Sequence, residues 1–133
     1  MRPHVLVVED DFATRESLRK TLEGEGYRVD VATDGEKAVG CLAQRQYDVV
    51  VLDLALPRLS GTDVMEYMAS TNPAQLASLV VVTGLEVVEI RKLFPSVPET
   101  LSKPVMPKRL IASVRRCLAA NGHPDELSGI SVA

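Results

Sequence analysis

The residues of this chain best suited to chemistry are three consecutive acids, Glu9-Asp10-Asp11; one acid, Asp53, inside the run VVVLDLALP; the hydroxyl of Thr83; and the amine of Lys103. Each follows an apolar run of strand length, and carboxylates are almost never fully buried unless they are paired. Several carboxylates converging in a partly dry crevice repel one another, so some must protonate or a cation must neutralise them. Hard oxygen ligands and waters suit Mg2+, or Mn2+ in its place. A carboxylate held beside such an ion can attack phosphorus and form an acyl phosphate. In-line transfer also needs charge matched on the phosphoryl oxygens, which Lys103 as a point charge and Thr83 as a hydroxyl donor can supply.

These residues act together only if the fold brings them to one edge. Apolar runs recur at His4–Val8, Arg28–Ala32, Asp48–Leu52, Ser78–Val82 and, more weakly, Pro98–Leu101, separated by helix-length segments. That alternation predicts an α/β fold: a five-stranded parallel sheet with helices on both faces. The helices are expected over Thr14–Gly24, Gly35–Gln46, Thr62–Thr71, Glu86–Phe94 and from Pro107 to just before Gly122, with Leu18 and Leu22, or Leu110, Ile111, Val114 and Leu118, recurring at helical spacing. In an open parallel sheet, ligands bind beyond the carboxyl ends of the strands where strand order reverses. The candidate residues all sit at such ends. Lys103 also precedes Pro104, which favours extended geometry and permits a cis bond.

Glu9-Asp10, Asp53 followed by Pro57 and Gly61, Thr83, and Lys103-Pro104, in that order, resemble the motif set of bacterial two-component response-regulator receiver domains. The similarity runs from about His4 to Ala120. It implies a flavodoxin-like (βα)5 domain with strand order 2-1-3-4-5. It also implies a phosphoacceptor rather than an enzyme acting on other molecules: Asp53 takes a phosphoryl group from a sensor histidine kinase or a histidine phosphotransfer protein. By the same resemblance Asp10, Asp53 and the backbone carbonyl of Ala55 ligate Mg2+, Glu9 helps through water, and Thr83 and Lys103 contact the phosphoryl group. Output passes through protein contacts, with a homodimer or an effector meeting the fourth and fifth helices.

Composition narrows the alternatives. A net charge of −3 argues against sequence-independent nucleic-acid binding, which needs a basic surface. No run approaches the ~20 apolar residues of a membrane span, and the apolar run after MRP is too short for a signal-peptide core. Cys41 and Cys117, far apart in helical patterns, suggest core fillers rather than a disulfide or zinc site, and a reduced, cytoplasmic setting. Asp11 suits a helix N-cap better than the metal site. His4 and His123 lie at a strand start and in the tail, away from the chemistry. Lys108, Arg109, Arg115 and Arg116 read as a solvated face. Residues 1–120 form the expected domain, and 121–133, NGHPDELSGISVA, a flexible tail or the start of a linker.

The chain also departs from the resemblance. Receivers usually carry an aromatic switch residue three positions before the lysine, where this chain has Thr100. The Thr83–Lys103 segment is short and contains Pro95 and Pro98. Ala55 and Leu85, flanking the expected phosphate, cannot position an attacking water, so a slowly hydrolysing acyl phosphate is expected. A receiver-fold interaction module indifferent to phosphorylation is the alternative reading. An aspartate-nucleophile hydrolase lacks its second acid at Ala55, and a flavin carrier would need a phosphate-cradling first loop where this one is acidic.

Overall fold

A computed structural model of the chain describes residues 2–56, 58–84 and 87–123. Five strands, β1 (His4–Val8), β2 (Arg28–Ala32), β3 (Val49–Asp53), β4 (Leu79–Thr83) and β5 (Glu99–Ser102), form one parallel sheet in the order β2-β1-β3-β4-β5. The three central strands, HVLVV, VVVLD and LVVVT, are buried along their whole length, as β-branched strands covered on both faces should be. The mixed sequences RVDVA and ETLS take the edges.

Helices α1 (Phe12–Gly24) and α5 (Pro107–Ala120) cover one face, placing Leu18, Leu22, Leu110, Val114 and Leu118 on Val5, Val7, Val51 and Val80. Helices α2 (Gly35–Gln44), α3 (Gly61–Thr71) and α4 (Val87–Leu93) cover the other, with Ala38, Val64, Met68 and Ile90 on Leu6, Val50, Leu52 and Val81. Each leucine buried this completely contributes about 2 kcal/mol over leaving it exposed. The helix starts are set chemically: Asp11, Asp34 and Ser60 cap α1, α2 and α3, and Ser60 forms a reciprocal capping box with Asp63.

Several boundaries differ from the sequence reading by a residue or two. Asp48 stays outside β3 because its carboxylate and amide clamp the backbone of His4, at 2.7 and 2.8 Å. Ser78 closes an unanticipated 3-10 turn, Pro73–Ser78, whose buried Gln75 bonds both backbone groups of Tyr47. α1 begins two residues early because Asp11 caps it, and α2 stops at Gln44, where Arg45 turns extended. The expected start of α4, Glu86, lies outside the described residues. At the other end, Asn121 donates to the carbonyls of Ala77 and Cys117 and His123 meets Asp48 at 3.3 Å, so residues 121–123 pack on the sheet's amino-terminal edge. Residues 124–133 of the expected tail lie outside the described set.

Candidate functional site

Strand order reverses between β1 and β3, and their carboxyl ends define a crevice. Just beyond β1, the Glu9 amide still bonds Ala32, which carries its side chain inward to 1% exposure. Asp11 turns away instead, accepting from the Thr14 amide at 2.8 Å and hydroxyl at 2.6 Å; these bonds hold its carboxyl below the ordinary range. Asp10, between them, is left exposed at the rim. Arg15, one turn into α1, donates to the carbonyls of Glu9 and Asp10 and lies over the Phe12 ring, fixing this loop.

Asp53 is the last residue of β3, paired with Val82 and only 2% exposed. One carboxylate oxygen accepts the Ala55 amide at 3.1 Å, and the other meets Lys103 Nζ at 3.1 Å. The chain after Asp53 folds back tightly, with the Gly61 amide donating to Leu54 O at 3.1 Å. A Cβ on Gly61 would lie 2.5 Å from Leu54 Cα and 2.6 Å from Asp53 O, so only glycine fits. Gly35 plays the same part against Leu59 farther along this loop.

Lys103 serves two acids. Its Nζ lies 3.0 Å from Glu9 Oε1 and 3.1 Å from Asp53 Oδ2. Burial alone would lower the ammonium's pKa, but its bonds to Glu9 and Asp53 outweigh burial and hold it above the ordinary value. One cation does not satisfy both acids. Burial pushes the Glu9 carboxyl up to about 7, against the lowering effect of Lys103 and the Asp11 amide. Glu9 Oε1 is completely buried and has no well-formed hydrogen bond, although the lysine is near.

Carboxylate oxygens of Glu9, Asp10 and Asp53 all lie within 4.8 Å of one another. Three acids against one amine leave a formal −2 when all are ionised, the charge a divalent cation would answer. The donor set is all oxygen, and the orphaned Glu9 oxygen is the kind of atom that a bound ion or its water would satisfy. The cluster could therefore hold a hard metal ion.

The remaining candidates divide. Thr83 ends β4 at the same edge of the sheet, 2% exposed, and its carbonyl accepts the Lys103 amide at 2.8 Å. The Lys103–Pro104 bond is cis. Ala55 is exposed beside Asp53, whereas Leu85 and Pro57 fall outside the described residues. Thr100, in register with Val81, is buried rather than poised at the phosphate edge. Burial pushes the Cys117 thiol up to about 12, in keeping with a core filler; Cys41 is only half-buried. His4, near the opposite edge, pairs with Asp30 at 3.0 Å. The basic face is partly tied down, by Arg115–Glu25 and Arg116–Glu99 pairs. The sequence reading missed Arg15, whose position one turn past the Asp11 cap was the available signal.

The sequence model of the response regulator receiver domain matches residues 5–115. Among curated proteins, Response regulator MprA of Mycolicibacterium vanbaalenii is 38% identical over 134 residues, covering 100% of this chain and 57% of the relative. MprA of Mycobacterium sp. strain KMS is 39% identical over 127 residues, 95% of this chain and 54% of the relative. The chain thus spans little more than half the length of these relatives. Among solved structures, the receiver domain of Francisella response regulator 1452 superposes with a TM-score of 0.82 at 26% identity, over 90% of this chain and 99% of that one. A CheY-like receiver domain protein from Methanospirillum hungatei gives 0.81 at 25% identity, over 90% and 96%.

Proposed function

Because this chain belongs to the family of response-regulator receiver domains, we propose that Asp53 is its phosphoacceptor and that the surrounding cluster is the machinery of its own phosphorylation. The observation that carries this reading is the placement of one buried carboxylate between a lysine and two further acids at the strand-order switch point. It favours a phosphorylation-dependent switch over an indifferent interaction module, which has no use for a buried acid left short of countercharge.

Asp10, Asp53 and the Ala55 carbonyl would hold Mg2+ (or Mn2+), with Glu9 acting through water. When bound, the ion supplies positive charge to the phosphoryl oxygens and to the attacking carboxylate. The chain's own residues do the rest. A carboxylate oxygen of Asp53 attacks phosphorus in line; the new O–P bond forms as the donor's N–P bond breaks, and the electron pair of that bond leaves with the imidazole, which takes up a proton. Lys103 stabilises the charge on the transferred group, and Thr83 donates its hydroxyl to it. The backbone amide of Ala55 fixes the carboxylate for attack.

The donor is a phosphohistidine on a sensor kinase or phosphotransfer protein. A crevice of about 540 Å3 between α1 and the loop carrying Lys103 and Pro104 gives it an approach to the site. Output runs to a homodimer partner or effector at α4 and α5, and the protein works in the cytoplasm. No described helix is long and apolar enough to cross a membrane. The methyl group of Ala55 gives a hydrolytic water nothing to bond, so the phosphorylated form should persist for minutes rather than seconds. Incubation with acetyl phosphate and Mg2+, followed by intact mass, should show one added phosphoryl group that disappears in Asp53→Asn. An unmodified wild-type chain under several phosphodonors would contradict the proposal.

A further inference from the structure

We infer that Arg15 is a positioning residue for metal binding: by holding the main chain of Glu9 and Asp10, it keeps their carboxylates converged on the place an ion would occupy. The inference rests on the reading of Glu9, Asp10 and Asp53 as the metal site. One guanidinium nitrogen, Nη1, lies 3.2 Å from Glu9 O and 3.3 Å from Asp10 O, so a single side chain of α1 grips two successive residues of the loop. Glu9 has other anchors, its amide on Ala32 at 3.1 Å and a carboxylate oxygen 3.0 Å from Lys103 Nζ. Asp10 has none of these. Exposed at the rim, it makes its one hydrogen bond among the described residues through the carbonyl that Arg15 holds. Groups that fix the orientation of metal ligands in this way govern affinity without touching the ion.

The choice of partners separates this role from simple charge neutralisation. Asp10, Asp11 and Glu16 are close to Arg15 in sequence, and a carboxylate is the strongest acceptor a guanidinium can take. Yet no described carboxylate lies within ion-pair distance of Arg15, whereas Arg19, one turn on, pairs with both Glu16 and Glu23. Arg15 lies instead over the Phe12 ring, 5.4 Å from its centroid, and that ring is 68% exposed. Stacked there, the guanidinium reaches the two carbonyls and leaves the Asp10 carboxylate with no described cation in ion-pair distance to compete with a metal.

The test is a calorimetric titration of the chain with Mg2+, run beside phosphorylation by acetyl phosphate over a range of Mg2+ concentrations. Arg15→Gln should weaken Mg2+ binding about tenfold, the lower end for a group that orients ligands, because its bonds are only half-buried. Arg15→Lys, which keeps the charge but reaches with a single ammonium, should weaken it about threefold. Both variants should retain the wild-type melting transition. The Mg2+ needed for half-maximal phosphorylation should rise by the same factors, and saturating Mg2+ should restore the wild-type rate. If charge alone mattered, Arg15→Lys would match wild type and Arg15→Gln would bind Mg2+ more tightly, because a neighbouring cation repels the ion; that result would overturn the inference. So would equal Mg2+ affinity in both variants and a wild-type chain that binds the ion. A wild-type chain that binds no Mg2+ would overturn the metal site itself, and the inference with it.

Discussion

Replacing Glu9 with glutamine should make the metal-free protein more stable at pH 8. Glu9 is almost fully buried, and its carboxyl rises from 4.5 to about 7 on folding because burial disfavours its charge more than Lys103 favours it. That displacement corresponds to roughly 3 kcal/mol. Its pH dependence has a definite sign. Well below pH 4.5 both folded and unfolded states hold the proton, and the group contributes nothing. Between 4.5 and 7 only the unfolded state gives it up, so stability falls as pH rises, and above 7 the penalty is fully present. Glutamine removes the charge while its carbonyl can still accept the Asp11 amide now bonded at 3.2 Å. Lys103 loses one of two partners but keeps Asp53; as it is about one-third exposed, we discount the gain to roughly 2 kcal/mol. Urea denaturation followed by far-ultraviolet circular dichroism, in chelator at pH 8 and pH 4.5, measures this directly. The gain should be near 2 kcal/mol at pH 8 and a few tenths at pH 4.5. A variant less stable than wild type at pH 8, or a gain equal at both pH values, would mean that the buried Glu9 charge does not cost the fold stability. Saturating Mg2+ should narrow or reverse the difference, since a ligand of the folded state stabilises the chain that binds it better.

Other substitutions separate positioning from chemistry. Asp11→Ala should cost about 1 kcal/mol through the lost cap while leaving Mg2+ affinity in a calorimetric titration within about twofold; Asp10→Ala should abolish binding at little cost in stability. Gly61→Ala drives a methyl into backbone atoms 2.5 and 2.6 Å away, so chemical denaturation should register a loss of at least about 2 kcal/mol, and phosphorylation by acetyl phosphate should slow. Gly40→Ala, inside α2 with open space around it, should by the same assay gain about 1 kcal/mol. If both glycine variants moved stability alike, close backbone approach would not be what distinguishes them.

What was legible in the sequence follows from where the information is local. Strand-length β-branched runs announced β1, β3 and β4, and the acids ending β1 and β3 with the hydroxyl ending β4 announced the crevice, because a parallel sheet sends every strand end to one edge. Strand ends were misread by a residue where a side chain overrode the pattern: Asp48 looked like part of an apolar run but is recruited to clamp His4. The burial of Glu9 was not legible, since Glu9, Asp10 and Asp11 are adjacent acids with opposite fates set by the Ala32 ladder bond and the Thr14 cap. Gly61 belongs to the motif that carries the resemblance, but the reason for it was not legible, since it depends on the chain returning over Leu54. Thr100 stood out as a missing aromatic. That it is buried in register with Val81, away from the phosphate edge, is a fact of tertiary packing, which no periodicity encodes.

If Asp53 takes the phosphoryl group, the acid cluster around it should make the transfer depend on a divalent ion. The decisive measurement is to phosphorylate the chain with and without chelator, reduce the acyl phosphate with borohydride, and locate the modified residue by peptide mass spectrometry. Reduction should occur at position 53 alone, present with Mg2+ and absent with chelator. A label at Asp10, at Glu9 or on a histidine, or labelling of Asp53 undiminished by chelator, would contradict it.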